Sequence, residues 1–231
     1  MNSAPNYKAS FLFFAALPVV FFLLFGFHGM DVADRGFIPA FAHRIVSGEV
    51  IYQDFFYVRP PLTPYLHTFE MVLFPDSMEM VAYRFFFYAF VWLSVLFSIL
   101  SLKKFFDFGK IGISPWVLGS MGFLLSVHNF FPAPWHTLDG IVFASLGIYL
   151  ISSGPKLGYL FAGMFSLGLA AMTKQPFAIV PVAGTLLLFF LYPWKKAALA
   201  LAGTAFLAIL GILSIEYLLT PDFNFFKKMI A

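Results

Sequence analysis

The chain has 231 residues, of which 61% are hydrophobic and only 11% are charged. This composition excludes an ordinary soluble domain and indicates an integral membrane protein. The absence of cysteine excludes disulfides, a thiolate nucleophile and a cysteine-based metal site, and the net charge of +3 comes from lysines scattered over short loops, which is not the pattern of a nucleic-acid-binding protein.

Seven apolar runs are long enough, or nearly so, to cross a hydrocarbon core about 30 Å thick. Each run is predicted to be a transmembrane helix, with the fourth, fifth and sixth on the short side. The predicted fold is therefore an all-α, polytopic transmembrane protein in which residues 1–231 form a single membrane domain. The predicted spans are 9–27, 80–102, 113–131, 138–153, 157–173, 177–191 and 197–219.

The basic loops predict how these helices are oriented. If the runs alternate in direction, seven lysines fall on one side of the membrane, which the positive-inside rule identifies as the cytoplasmic side. The sequence therefore predicts a protein of the cytoplasmic (inner) membrane with its amino terminus inside and its long first loop outside. The lysines are Lys8, Lys103, Lys104, Lys110, Lys156, Lys195 and Lys196.

The long polar interval at about 28–79 is the predicted outer loop, and chemistry is expected there. Loops of this length are usually functional or disordered, and the many aromatic and branched residues argue against disorder. Two helices along the membrane interface are predicted in it, one from its cap Asp34 to Ser47 and Gly48, the other over 62–73. The loop holds seven of the eleven carboxylates: Asp31, Asp34, Glu49, Asp54, Glu70, Asp76 and Glu79.

Three short segments of the outer loop occur in order: DRG at 34–36, SGEVIYQDFF at 47–56 and RPPL at 59–62. Together they resemble the first outer loop of the polytopic GT-C glycosyltransferases, in the branch that includes protein O-mannosyltransferases and lipid A aminoarabinose transferases. The resemblance covers nearly the whole chain but only the amino-terminal module, roughly half, of a usual family member. The chain is therefore expected to be a fragment, a truncated reading frame or a protein that needs a partner chain to complete the donor site.

The resemblance implies transfer of a sugar from a polyprenyl-phosphate donor to a lipid, glycan or protein acceptor, with inversion at the anomeric carbon, on the outer face of the membrane. It implies that Asp34 is the catalytic aspartate, which takes the acceptor's proton. Asp31 is the competing candidate, and a helix cap is the alternative role for Asp34. Arg35 stands where the family often has a second acid, so the cofactor is left open: a divalent metal fits the sequence but is not required by it.

Arg59 precedes Pro60 and Pro61, which fix the backbone and aim its side chain at low entropic cost. In the resembling family a basic residue at this position contacts the lipid-linked phosphate, and a guanidinium suits this role because it forms bidentate hydrogen bonds. The alternative is an arginine that binds lipid headgroups. Asp54 is predicted to pair with this arginine and so to orient the loop.

The second outer turn, residues 128–139, supplies further candidates. Asp139 is either a functional acid that faces the first loop, as the resemblance implies, or the cap of the following helix. His136 is a supporting candidate, and with His128, Asp139 and Asp34 it offers nitrogen and oxygen ligands for a metal. No compact spacing supports that metal site, so no metal ligand is assigned.

Lys174 and Gln175 lie at the predicted outer turn between the fifth and sixth helices. Lys174 lies outside, contrary to the inside rule, so its charge is expected to meet an anion, either the donor phosphate or a loop carboxylate. The same Lys-Gln pair is frequent at this place in the resembling family, which implies a donor-binding role. The alternative is a lysine that extends to the membrane surface.

Two other functions are weighed against the transferase. A small-molecule transporter would need polar residues lining a path through several helices, whereas the predicted spans are almost free of charge. A noncatalytic or degenerate membrane scaffold of the same fold is favoured by the Arg35 departure and by the short chain. Membrane lipids are expected partners in every case, and nucleic acid in none.

Overall fold

The computed structural model describes residues 7–28 and 36–219, which form an all-α structure. Over these residues the backbone contains no strand, and 3-10 turns at Asp76–Met78 and Gln175–Ala178 connect some of the helices. The helices are α1 (Tyr7–Phe25), α2 (Phe37–Val46), α3 (Leu62–Leu73), α4 (Glu79–Phe105), α5 (Phe108–Ile111), α6 (Pro115–Asn129), α7 (His136–Ser152), α8 (Leu157–Ala171), α9 (Ile179–Leu191) and α10 (Trp194–Leu219).

The predicted all-α class is confirmed, and a helix covers most of each apolar run. Two helices of the described residues, α1 and α4, are long and apolar enough to cross a membrane. Helices α6, α7, α8 and α9 have 15, 17, 15 and 13 residues, fewer than the roughly 20 residues of a typical span. Seven spans therefore stay a prediction, as does the orientation of the chain.

Helix α4 is the centre of the bundle, and α1, α6 and α7 pack against it. Their shared core includes the fully buried side chains of Phe14, Val91 and Phe123. A second core joins α7 to α8, α9 and α10. Gly147 of α7 lets α8 come close, because a Cβ at this position would lie 2.8 Å from the carbonyl oxygen of Gly163. This close crossing fixes the ends of α7 and α8 relative to each other.

Helices α2 and α3, with the segment between them, form an arm (residues 36–73) at one end of the bundle. The arm has a small apolar core of its own, in which Phe55 and Tyr57 pack against one face of α2. The backbone nitrogen of Leu62 donates to the carbonyl oxygen of Met172 at 3.1 Å. This bond attaches the start of α3 to the end of α8.

Both helices predicted in the first loop are present. Helix α2 is followed by Ser47 and Gly48, and Gly48 has the left-handed φ of 92° that commonly ends a helix. The second predicted helix, over 62–73, coincides with α3. The predicted cap of the first helix, Asp34, lies outside the described residues, and the position of both helices at a membrane surface stays a prediction.

Candidate functional site

The arm, the start of α7 and the turn after α8 meet at one end of the bundle. The contact is close because Gly140, in the first turn of α7, has no side chain: a Cβ would lie 2.5 Å from the ring of Phe177 and 2.7 Å from the hydroxyl of Thr173. The turn that carries Lys174 and Gln175 is thereby held against the first turn of α7. Three segments that are distant in the sequence thus contribute side chains to one place.

His136, the first residue of α7, is fully buried and is hydrogen-bonded through both ring nitrogens. Nη1 of Arg59 lies 2.7 Å from its Nδ1, and Oη of Tyr57 lies 2.7 Å from its Nε2. Nη1 of Arg59 also lies 3.3 Å from Nε2, and because arginine only donates, the ring must present it an unprotonated nitrogen. Burial and the charges of Arg59 and Lys174 lower the His136 pKa to about 3, in agreement with a neutral ring. His136 therefore orients Arg59 as a neutral ring.

Arg59 is held from several directions. Its Cζ lies 5.9 Å from the centre of the Phe37 ring and 5.7 Å from that of Trp135. Its carbonyl oxygen accepts a hydrogen bond of 2.5 Å from Oη of Tyr52, whose own φ of 69° is in the left-handed region. A non-glycine residue in that region costs about 1–3 kcal/mol and persists only where its surroundings require it. The guanidinium is therefore preorganised.

Lys174 and Gln175 approach Arg59 from the turn after α8. Nζ of Lys174 donates to Oγ1 of Thr137 at 3.3 Å, and Nε2 of Gln175 donates to the carbonyl oxygen of Val58 at 2.7 Å. Among the described residues, no carboxylate pairs with Lys174 or with Arg59. We call Arg59, Lys174 and the positive end of the α7 dipole the cationic site. This combination is suited to binding an anion.

A second group of titratable residues joins α3 to α7, one helical turn beyond His136. Nδ1 of His67 lies 2.9 Å from Oε1 of Glu70, its Nε2 lies 3.3 Å from Oδ1 of Asp139, and all three side chains are at most 3% exposed. Burial lowers the His67 pKa, but the two carboxylates raise it more, to about 9. His67 is therefore an imidazolium at neutral pH. We call these three residues the buried cluster.

Asp139 is the residue of α7 that belongs to the buried cluster. Its alternative role as the cap of α7 is wrong, because the helix begins at His136 and Trp135 occupies the cap position without a side-chain hydrogen bond. Through His67, Asp139 contacts the arm. Its role in a reaction stays a prediction.

Asp54 does not pair with Arg59, contrary to the prediction. Its Oδ2 accepts a hydrogen bond of 2.7 Å from the backbone nitrogen of Val50. A nearby backbone donor is reached with less ordering than a long side chain that is already bound elsewhere. Asp54 thus stabilises the turn of the arm, and His136 takes the place of its expected contact with Arg59.

The predicted catalytic residues Asp34 and Asp31 lie outside the described residues, so their roles stay predictions. Within the part of the chain that the structure describes, no group of three or more histidines and acids is arranged to hold a metal ion. His128 is exposed at the end of α6. His136 uses both of its ring nitrogens in hydrogen bonds, so these two histidines and Asp139 do not assemble the suggested ligand set.

The sequence analysis assigns no site role to four residues of this region: Tyr57, His67, Glu70 and Trp135. A signal exists for two of them, because Thr63, His67 and Glu70 are spaced by four and three residues and so share one face of α3. A polar face in an apolar helix marks a buried polar contact. The aromatic pair carries no such signal, since aromatic residues make up 21% of the chain.

The two buried histidines are expected to have opposite effects on the pH dependence of stability. Folding lowers the His136 pKa from 6.5, so its contribution is complete above pH 6.5 and is lost as the pH falls towards about 3. Folding raises the His67 pKa, so its contribution is complete below pH 6.5 and is lost as the pH rises through about 9. The melting temperature of the detergent-solubilised protein should therefore be highest near neutral pH and fall on both sides.

Substitution separates the two limbs of that curve. His136→Gln should flatten the acidic limb, and His67→Gln should flatten the alkaline limb, each leaving the other limb in place. His43→Gln, at an exposed position of α2, is the control and should reproduce the wild-type curve. Persistence of both limbs in either variant contradicts the assignment.

Comparison of the chain with models of protein families, with curated proteins and with solved structures found no match in any of the three. The resemblance to GT-C glycosyltransferases therefore stays a prediction from sequence motifs.

Proposed function

We propose that this protein is a membrane glycosyltransferase that takes a sugar from a polyprenyl-phosphate donor. The observation that supports it most is the cationic site, where Arg59 and Lys174 converge on the start of α7. Neither cation is paired with a carboxylate in the described parts of the chain. Two cations that no described carboxylate neutralises, at a helix amino terminus, favour a phosphate ligand.

The phosphate of the donor is the leaving group of this reaction. Negative charge grows on its oxygen as the bond to the anomeric carbon breaks, and preorganised cations stabilise that charge without further ordering. Arg59 binds two phosphate oxygens through its guanidinium, and Lys174 neutralises the remaining charge. Gln175 acts indirectly, because its amide holds the carbonyl of Val58 and so fixes the segment that carries Arg59.

Asp34 is the base in this proposal, with Asp31 as the alternative. The acceptor oxygen attacks the anomeric carbon opposite the phosphate and its proton passes to the carboxylate. The electron pair of the broken carbon–oxygen bond stays on the phosphate oxygen, and because the acceptor attacks from the opposite face the product has the inverted configuration. Both aspartates precede α2 in the same loop as Arg59, which supports a shared site for base and phosphate.

The apolar surface of the bundle supports a polytopic membrane protein. Large apolar side chains are exposed on several helices, such as Leu23 of α1 at 63%, Leu125 of α6 at 65% and Phe190 of α9 at 85%. Exposed apolar surface on this scale is rare in soluble monomers and is covered by lipid in a membrane. We therefore propose seven spans in the cytoplasmic membrane, with the amino terminus inside and the arm along the outer surface.

Donor turnover by the purified protein tests this proposal. Wild-type protein in lipid nanodiscs is mixed with polyprenyl phosphates carrying a hexose or a pentose, with water or an added membrane extract as acceptor. Release of polyprenyl phosphate is followed by mass spectrometry. We expect release by the wild type and a loss of roughly 100-fold or more in Asp34→Asn, because general base catalysis contributes about 10²–10⁴-fold.

Glu49→Gln removes another acid from the arm and is the control for that experiment. Its turnover should match the wild type, because Glu49 pairs with Arg44 at the partly exposed side of the arm. Unchanged turnover in Asp34→Asn removes this residue from the mechanism, and a loss confined to Asp31→Asn assigns the base to Asp31. Binding of polyprenyl phosphate without turnover of any donor favours the noncatalytic scaffold instead.

A further inference from the structure

The end of the bundle opposite the cationic site contains an open cleft of about 610 Å³. It lies between the start of α1, the end of α4, the short helix α5 and the start of α6. Helix α6 has 15 residues and so extends about 22 Å at a rise of 1.5 Å per residue. That length separates the cleft from the end of the bundle at which the arm lies, so the two sites are distinct.

Two lysines at the cleft, Lys103 and Lys104, give it a net positive charge. Within the described residues neither has a carboxylate partner. Asp107 also lines the cleft, but its Oδ1 accepts from the backbone nitrogen of Gly109 at 3.1 Å and its Oδ2 lies 3.7 Å from Nζ of Lys110. The carboxylate that lines the cleft therefore faces Lys110 and its own backbone, and it pairs with neither Lys103 nor Lys104.

Aromatic and apolar groups lie beside these charges. Nζ of Lys103 is 5.1 Å from the centre of the Trp116 ring, and Tyr7 contributes a second amphipathic ring to the lining. Tryptophan, tyrosine and lysine are the residues that membrane proteins place at the level of lipid headgroups. Next to them, Phe105 and Phe106 are 49% and 53% exposed. A ligand that contacts both the lysines and the apolar side chains of the cleft has an anionic end and a long apolar part.

We propose that this cleft binds the headgroup of an anionic phospholipid. The lipid phosphate contacts Lys103 and Lys104, and the rings of Tyr7 and Trp116 pack against the glycerol region. The acyl chains lie along the exposed apolar faces of α1 and α6. Lipid binding at this site does not depend on glycosyl transfer, so it is tested separately from the proposed reaction.

A second pair of lysines provides a matched control. Lys195 and Lys196 also adjoin a tryptophan, with Nζ of Lys195 lying 5.9 Å from the centre of the Trp194 ring. They are exposed at the start of α10 and are not part of the cleft. A general attraction between basic residues and an anionic bilayer would involve both pairs equally, whereas a built site involves only Lys103 and Lys104.

The experiment compares retention of phosphatidylglycerol and phosphatidylcholine. Wild-type protein, K103Q/K104Q and K195Q/K196Q are extracted from vesicles that contain both lipids, and bound lipid is counted by native mass spectrometry over a phosphatidylglycerol titration. We expect the wild type to prefer phosphatidylglycerol. K103Q/K104Q should lose about thirtyfold in apparent affinity, the combined effect of two lysines near an anionic lipid, while K195Q/K196Q keeps the wild-type affinity. A parallel series with inorganic phosphate should show no displacement of the lipid.

Three results would overturn the proposal. Equal losses in the two double variants would show surface electrostatics alone. Displacement of lipid by inorganic phosphate at comparable concentration would show a site for a free anion. Absence of any lipid preference in the wild type would remove the site altogether. The single variant K104Q, with its melting temperature measured alongside, guards against a loss of binding that comes from misfolding.

Discussion

Replacement of Arg59 by glutamine is expected to weaken the binding of polyprenyl phosphate by roughly 10- to 150-fold. Hydrogen bonds to charged groups contribute about 1.5–3 kcal/mol, and glutamine supplies neither the charge nor the planar fork that binds two phosphate oxygens. Arg59→Lys should recover only part of the affinity, because it restores the charge without the fork. Binding is measured with a fluorescent polyprenyl phosphate in nanodiscs of neutral lipid.

Arg44 provides the matched control for this measurement. It lies on the same arm, but its Nε donates to Oε2 of Glu49 at 2.7 Å and its guanidinium covers the ring of Phe55. Arg44→Gln therefore removes one arm arginine while leaving the cationic site intact, and its affinity for polyprenyl phosphate should stay near that of the wild type. Equal losses in the two variants would show that the arm binds phosphate through its overall charge, and the role assigned to Arg59 would be wrong.

The local features of the arm follow directly from its sequence. Ser47 and Gly48 end α2 because glycine adopts the left-handed conformation that a helix end often needs. Pro61 precedes the first residue of α3, and an apolar run then continues over the predicted 62–73. Hydrophobic runs likewise place most of the remaining helices. In each case the deciding interactions are made between residues close together in the chain.

The site itself depends on contacts that no local pattern specifies. His67 and Asp139 are 72 residues apart, and Gln175 reaches a carbonyl 117 residues away. The expected pairing of Asp54 was wrong for the same reason: its short distance from Arg59 in sequence favoured a contact, but a residue of the distant α7 binds that arginine. Sequence motifs therefore do not specify the long-range partners of these residues.

Removal of one carboxylate from the buried cluster is expected to have the largest effect on stability. Asp139→Ala leaves Nε2 of His67 without its acceptor and leaves a buried imidazolium with one partner. Breaking a buried ion pair in this way costs about 3–5 kcal/mol, a large share of the stability of a typical domain. The free energy of unfolding is measured in detergent at neutral pH, where His67 is charged.

A variant without any charge in the cluster separates the loss of a partner from the loss of packing. His67→Leu, Glu70→Met and Asp139→Leu together replace the cluster with apolar side chains of similar size, and such replacements are often neutral. We expect this triple variant to be more stable than Asp139→Ala by about 2 kcal/mol or more, and to have lost the alkaline limb of its pH profile. Glu49→Gln, on the partly exposed surface of the arm, should change stability by less than about 1 kcal/mol.

The same comparison tests whether the cluster holds the arm in place for function. Arg59 lies on the arm and its partner His136 lies on α7. If the contact between the arm and α7 loosens in Asp139→Ala, these two side chains also separate. The affinity for polyprenyl phosphate should then fall in Asp139→Ala and return to the wild-type value in the triple variant, which restores the contact between the arm and α7 without its charges. If Asp139→Ala is as stable as Glu49→Gln, His67 is uncharged in the folded protein, and the arm depends instead on the bonds made by Leu62 and Gln175.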